Sequence, residues 1–224
     1  MTLGPLGSGD CDSPGSDQIP TSMEIAIVDY GIGNLGSLSN ALRQLGHRPV
    51  FIDDPHMLER YDRALLPGVG HFGACAVRLR QAGFEQPILE RVQNGRWLLG
   101  ICVGMQLFFE GSDESEEAGL GILEGRVERM QPGLRLPEMQ WNRLCFDTPT
   151  HPLFTSFTAE VWTYFVHSYA VRESDDAIAW EEYGRRYVAA VAHGSLLGFQ
   201  FHPEKSSRVG LRILGAALGL GMER

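Results

Sequence analysis

From residue 23 onward the chain alternates short apolar runs with stretches of helical spacing. Glu24 to Asp29 is a compact apolar, β-branched run and predicts a first strand. Leu35, Leu38, Leu42 and Leu45 recur every three or four residues and predict a helix, which Gly46 ends. Val50 to Ile52 and Ala64 to Leu66 read as the second and third strands. Ala74 to Ala82 and Phe84 to Gln93 read as amphipathic helices parted by Gly83. Trp97 to Gly100 reads as the fourth strand, with an apolar helix resuming through Phe109. Strands alternating with helices in this way predict a doubly wound parallel sheet.

After Phe109 the pattern changes. Glu110 to Glu117 is acidic and reads as a solvated loop. Short β-like runs follow at Arg126–Met130, Leu144–Phe146, Val161–Val166, Ala177–Glu182 and Val188–Val191. Turns separate them, which suggests antiparallel strands. Leu196 to Phe201 is a further buried strand, and Val209 to Leu218 closes as a helix. The expected fold class is α/β: a central, mostly parallel sheet flanked by helices, with an additional antiparallel strand region. Residues 1–22 are rich in Gly, Ser, Pro and Asp and read as a disordered N-terminal extension. Residues 23–224 read as one domain.

Composition narrows the function. The net charge of -9 leaves no basic stripe for a phosphate backbone, so nucleic-acid binding is disfavoured. No apolar run approaches the roughly 18 residues of a membrane span. Cys11, Cys75, Cys102 and Cys145 are scattered, without a C-x-x-C pair. That argues against zinc and against a disulfide framework, and fits a reducing cytosol. Neither metal nor cofactor is expected, and the expected location is cytoplasmic.

The chemistry gathers at two strand ends. Gly100-Ile101-Cys102-Val103-Gly104 lies between a strand and a helix. It is the thiol version of the nucleophile elbow, in which small residues two before and two after the nucleophile permit a sharp turn. A helix start beside the sulfur favours thiolate. A cysteine nucleophile needs a base, and the base needs a group to orient it. His202-Pro203-Glu204 supplies both: His202 as base, Glu204 as orienter, two residues apart on one side of an extended segment. Pro67-Gly68-Val69-Gly70 follows a buried strand and can present N–H groups to an anion. The Val69–Gly70 segment and the Val103 amide are the expected oxyanion donors, with an ordinary β-to-α turn as the alternative reading of residues 67–70. His71 reads as a surface or supporting residue and Cys75 as a small core residue. Gly31-Ile32-Gly33 with Gly36 matches a dinucleotide loop formally, but no acidic residue closes the second strand in a clear way, so it reads as a turn.

Several segments in order resemble class I glutamine amidotransferases, and within them the glutaminase subunits of imidazole glycerol phosphate synthase. They are the elbow with Gln106, Ile27 to Asn34, Leu66 to Gly70, Tyr164 to Tyr169 and His202 to Ser207. The resemblance covers the chain from about Met23 to its end. It implies hydrolysis of L-glutamine to glutamate and ammonia by Cys102, His202 and Glu204. It implies glutamine binding by Gln106 and the His167-Ser168-Tyr169 backbone. It further implies a heterodimer with a (β/α)8-barrel cyclase subunit that receives the ammonia and makes imidazole glycerol phosphate and aminoimidazole-carboxamide ribonucleotide. Asn34, Trp141, Tyr164 and Lys205 would face that partner, with a helix-capping role as the alternative for Asn34. One segment departs from the family. Pro137-Glu138-Met139-Gln140-Trp141-Asn142 stands where the family usually has Pro-His-Met-Gly-Trp-Asn. Glu138 and Gln140 leave a sister subunit of another synthase as the alternative reading. A non-catalytic binding subunit is the third, and the intact Cys102, His202 and Glu204 argue against it.

Overall fold

The computed structural model describes residues 22–220, apart from 132, 134, 148 and 149. The extension expected over residues 1–22 lies outside the described residues, save residue 22 itself. The first half runs β1 (Glu24–Val28), α1 (Leu35–Gln44), β2 (Arg48–Ile52), β3 (Arg63–Gly68), α2 (Phe72–Gln81), α3 (Glu85–Gln93), β4 (Leu98–Cys102) and α4 (Val103–Gln106). Strands β2, β1, β3 and β4 lie side by side in parallel. Ile25 to Val28, Ala64 to Leu66 and Leu98 to Ile101 are buried, as central parallel strands covered on both faces require.

The second half adds β5 (Gly111–Ser112), β6 (Ser115–Ala118), β7 (Arg126–Arg129), β8 (Glu138–Arg143), β9 (Trp162–His167), β10 (Tyr169–Val171), β11 (Ala177–Tyr183), β12 (Arg185–His193), β13 (Leu196–Phe199) and α5 (Ser207–Gly219). The main sheet has the order β11-β12-β13-β4-β3-β1-β2. β13 joins β4 in parallel, and β12 and β11 extend that edge antiparallel. A smaller sheet, β10-β7-β5-β6, and the antiparallel pair β8-β9 stand beside it. The α/β class and the antiparallel addition are those expected.

Three local expectations are corrected. The acidic segment is no open loop: it folds as the β5–β6 hairpin, with the Ser112 hydroxyl accepting from the Glu114 amide at the turn. The run Leu144–Phe146 is not a strand; the strand is Glu138–Arg143. The Leu144 amide still donates to the Val161 carbonyl beside β9, but Cys145 turns to an isolated bridge with Trp180 of β11, so no ladder continues. The helix after Cys102 is one turn and stops at Gln106. The carbonyls of Leu107, Phe108 and Phe109 accept instead from the amides of Leu120, Ile122, Leu123 and Gly121, which takes them out of any helical ladder.

Periodicity gave no sign of the 3₁₀ turn over Pro55–Arg60. Arg91 of α3 holds it. This guanidinium is fully buried and donates to the carbonyls of Leu58, Tyr61, Asp62 and Trp97 at 2.9–3.0 Å.

Candidate active site

β4 delivers Cys102 at its C-terminal end, where parallel sheets open their clefts. The cysteine backbone has φ 56° and ψ -114°, a region that L residues rarely occupy. The glycines around it are sterically required. A Cβ on Gly104 would overlap the Leu66 carbonyl oxygen, and one on Gly100 would meet the Phe108 ring at 2.6 Å. Gly68 pairs in register with Cys102, so the segment after β3 lies beside the nucleophile. Tyr30 braces that segment, its hydroxyl donating to the Pro67 carbonyl at 2.8 Å.

β13 leads to Phe201 and His202. His202 is buried, and its Nδ1 lies 2.8 Å from Glu204 Oε1. Burial alone would lower this imidazole. The Cys102 sulfur and the Glu204 carboxylate beside it outweigh burial and push it up to about 10. A proton therefore sits readily on His202 while it faces sulfur on one side and carboxylate on the other.

A cleft of about 370 Å³ opens over Cys102. Val69, Gly70 and Val103 line one part of it, with Gly70 at φ 86°. Gln106, His167, Ser168 and Tyr169 line another, and His202 and Lys205 complete the mouth. Cys102, His202 and the residues expected for oxyanion and glutamine binding are thus brought to one cavity, while Glu204 stands behind His202 and reaches the site through it. Gln106 is buried, and its Nε2 donates to the Tyr169 carbonyl at 3.0 Å and to Gln200 Oε1 at 2.9 Å. Both amide hydrogens are used, which leaves Oε1 as the atom free to meet a ligand. His71 is exposed and caps α2, its Nδ1 accepting from the Gly73 amide at 3.1 Å. Cys75 is buried, as expected of a core residue, with its thiol 3.5 Å from the Val69 carbonyl.

Of the residues expected at a partner face, three form one surface. Trp141 of β8 and Tyr164 of β9 are register partners, with rings edge-to-face at 6.3 Å. The Lys205 ammonium lies 5.9 Å from the centre of the Tyr164 ring. Met139 and Trp162 extend this exposed apolar patch. Asn34 begins α1, and its side chain makes no capping hydrogen bond.

Sequence reasoning passed over three residues here. Glu114 was absorbed into the acidic segment, yet it lines the cleft and accepts the Phe72 amide at 2.7 Å. Gln200 is fully buried and donates to Cys102 Sγ at 3.8 Å. Glu181 is fully buried with its Oε1 3.0 Å from His167 Nε2. Glu181 shares the inward face of β11 with Ala179, so a charged residue at a core parity was the available signal. Gln200 was likewise a polar residue inside an apolar run. Nothing in the sequence distinguishes Glu114 from its acidic neighbours.

The fold and the cysteine-centred cleft define a glutamine amidotransferase domain. Residues 26–215 match the family described as glutamine amidotransferase class-I, and the chain belongs to that family. It is 48% identical over 193 residues to a protein of Symbiobacterium thermophilum, covering 85% of this chain and 91% of the relative. It is 45% identical over 200 residues to one of Methanopyrus kandleri, covering 88% and 98%. Both relatives are named imidazole glycerol phosphate synthase subunit HisH, and the chain belongs to that subunit family. Among solved structures, a glutamine amidotransferase aligns with a TM-score of 0.68 at 23% identity, covering 86% of this chain and 98% of the other. PurLQS from Thermotoga maritima aligns at 0.69 and 20%, covering 88% and 98%. These two likenesses speak for the fold alone.

Proposed function

We propose that this chain hydrolyses the side-chain amide of L-glutamine and hands the ammonia to the cyclase subunit of an imidazole glycerol phosphate synthase. The observation that carries the chemistry is His202, which lines the same cleft as Cys102 and holds the Glu204 carboxylate 2.8 Å from its Nδ1. Cys102 attacks the carboxamide carbon while His202 holds the thiol proton. The oxyanion that forms is met by the Val103 amide and the Val69–Gly70 segment. The C–N bond breaks, His202 protonates the departing ammonia, and a thioester remains. Water then attacks the thioester with His202 as base, releasing glutamate and restoring the thiol.

The walls suit glutamine. Gln106 offers Oε1 to a donor on the substrate. Glu114 brings a carboxylate to the same cleft, the group that an α-ammonium requires. The His167-Ser168-Tyr169 backbone lines the side left for the α-carboxylate. The apolar patch of Met139, Trp141, Trp162 and Tyr164 is the docking face for the cyclase, a (β/α)8 barrel by family resemblance. Lys205 belongs both to that patch and to the cleft, which supports a docking face beside the mouth of the cleft. Among the described residues no helix is long and apolar enough to cross a membrane, and we place the reaction in the cytoplasm. The names of the relatives favour histidine biosynthesis over another synthase.

The test is glutamate release from glutamine with the cyclase and its nucleotide ligand present, for the wild type and for Cys102→Ala. Activity that needs the loaded partner and vanishes in the variant supports the whole reading. A silent wild type that still reacts at Cys102 with a glutamine-like electrophile removes the partner and keeps the chemistry.

A further inference from the structure

Behind the cleft wall three buried side chains converge from three strands: Glu138 of β8, His167 of β9 and Glu181 of β11. His167 Nε2, Glu138 Oε2 and both Glu181 oxygens have no hydrogen-bond partner of their own. The proton inventory decides what they do. His167 Nδ1 lies 3.0 Å from the Tyr169 carbonyl, which can only accept, so Nδ1 carries a hydrogen. Nε2 then faces Glu181 Oε1 at 3.0 Å and Glu138 Oε2 at 3.9 Å. These are ion-pair contacts rather than aligned hydrogen bonds, and the nearer carboxylate, Glu181, favours a proton on the imidazole. Glu181 and Glu138 raise the His167 imidazole against burial, which would lower it.

The Tyr169 carbonyl sets a second chain in motion. It accepts from Gln106 Nε2, whose other hydrogen goes to Gln200 Oε1. With its oxygen so occupied, Gln200 turns its Nε2 toward Cys102 Sγ, 3.8 Å away. Every amide in this relay has one allowed orientation, fixed by a carbonyl that cannot donate. The relay ends by aiming an N–H at the nucleophilic sulfur.

We propose that Glu181, His167 and Gln200 are positioning residues for the Cys102 thiolate: Glu181 keeps His167 a cation near the sulfur, and Gln200 donates to it. This rests on Cys102 being the nucleophile of the proposed glutaminase reaction. The titratable groups around the sulfur are His167 of β9 and His202 after β13, which line the same cleft, and Tyr30 after β1 and Cys75 of α2, which bond the adjacent Pro67 and Val69 carbonyls. Those that face His167, besides Cys102, are Glu138 of β8 and Glu181 of β11. Removing the cation or the donor makes the thiolate harder to form. Overall stability need not follow that change.

The test is the rate of Cys102 alkylation by iodoacetamide against pH, in the full chain carrying Cys11→Ser, Cys75→Ala and Cys145→Ser. Glu181→Gln and Gln200→Leu are each expected to move the midpoint of that profile up by about half a pH unit or more, the effect of losing one nearby charge or hydrogen bond. Glu181→Asp is expected to return part of the shift. Variants that lower the unfolding temperature but leave the midpoint in place would show a purely structural role and overturn the proposal. So would a stoichiometric metal ion in the purified chain that is lost in Glu181→Gln, because the cluster would then be a cation site. The readout needs no glutamine. A shifted midpoint in a chain that neither turns glutamine over nor reacts at Cys102 with a glutamine-like electrophile would support this inference and sink the glutaminase reading.

Discussion

The Gly104 Cα packs directly against the Leu66 carbonyl, so close that a Cβ would overlap that oxygen. This contact locks the turn after Cys102 onto β3, the strand that leads to the expected oxyanion segment. Gly104→Ala must push the two strands' ends apart. Overpacking of this kind costs about 1–3 kcal/mol. Urea unfolding should show that loss, and glutaminase activity should fall further than stability alone explains, because Val103 and Val69 separate.

Cys102 itself carries backbone strain at φ 56° and ψ -114°. Glycine adopts such a conformation freely, whereas alanine does not. In most strands and helices glycine is the less stable of the two by roughly 0.5–1 kcal/mol. Here the order should reverse, with Cys102→Gly unfolding at a higher temperature than Cys102→Ala by an amount worth about 1 kcal/mol or more. Both should be inactive. Equal midpoints would mean that the elbow is relaxed.

How much of this was legible in the sequence depended on how far each signal reached. The apolar runs of β1, β3 and β4 marked themselves, because strands buried on both faces have little choice of residue. Gly100, Cys102 and Gly104 were legible because the sharp turn demands small residues at a fixed spacing, although the contacts that enforce it reach Phe108 and Leu66. His202 and Glu204 were legible because the pair lies within one short segment. Glu138, Glu181 and Gln200 were not. Each is polar for the sake of a partner far away in sequence, and no local pattern names that partner. Leu144–Phe146 misled for a related reason: its apolar residues fill the core while the ladder they seemed to continue ends at Arg143. The one-turn α4 was hidden likewise, since the amides that claim the carbonyls of Leu107 to Phe109 come from residues 120 to 123.

Glu138 gives a pH dependence with a definite sign. Burial and the neighbouring Glu181 raise its carboxyl to about 7, against the opposing pull of His167, Gln140 and Asn142. In the unfolded chain the group titrates near its ordinary value of 4.5. The folded state therefore holds the extra proton between these values. Its contribution to stability is full below the unfolded value and is lost as pH rises through about 7. Glu138→Gln should flatten the fall in unfolding free energy between pH 5 and pH 8 seen in the wild type. An unchanged slope would show that Glu138 is ionised throughout.

Arg91 closes the base of the fold. Its guanidinium reaches the carbonyls of Leu58, Tyr61, Asp62 and Trp97, and burial lowers it to about 10 without neutralising it at physiological pH. Arg91→Met strands those four acceptors and should cost about 3–5 kcal/mol, as breaking a buried charged network does. Arg91→Lys should recover little of this, because an ammonium cannot reproduce the planar fork. Chemical denaturation of both variants measures it.

Trp141 tests the docking face apart from the chemistry. It is about half exposed, at 46%, and touches Tyr164 across the β8–β9 pair without belonging to the core or to the cleft. An aromatic residue in such a patch is a good anchor for a partner, and truncating one costs about 2 kcal/mol or more of binding, roughly thirtyfold in Kd. Trp141→Ser should therefore weaken cyclase binding by that factor in calorimetry while leaving the unfolding midpoint nearly unchanged. Alkylation of Cys102 in the isolated chain should also be unaltered, since no atom of the indole lines the cleft. Binding that survives this substitution would move the interface off the face formed by β8 and β9.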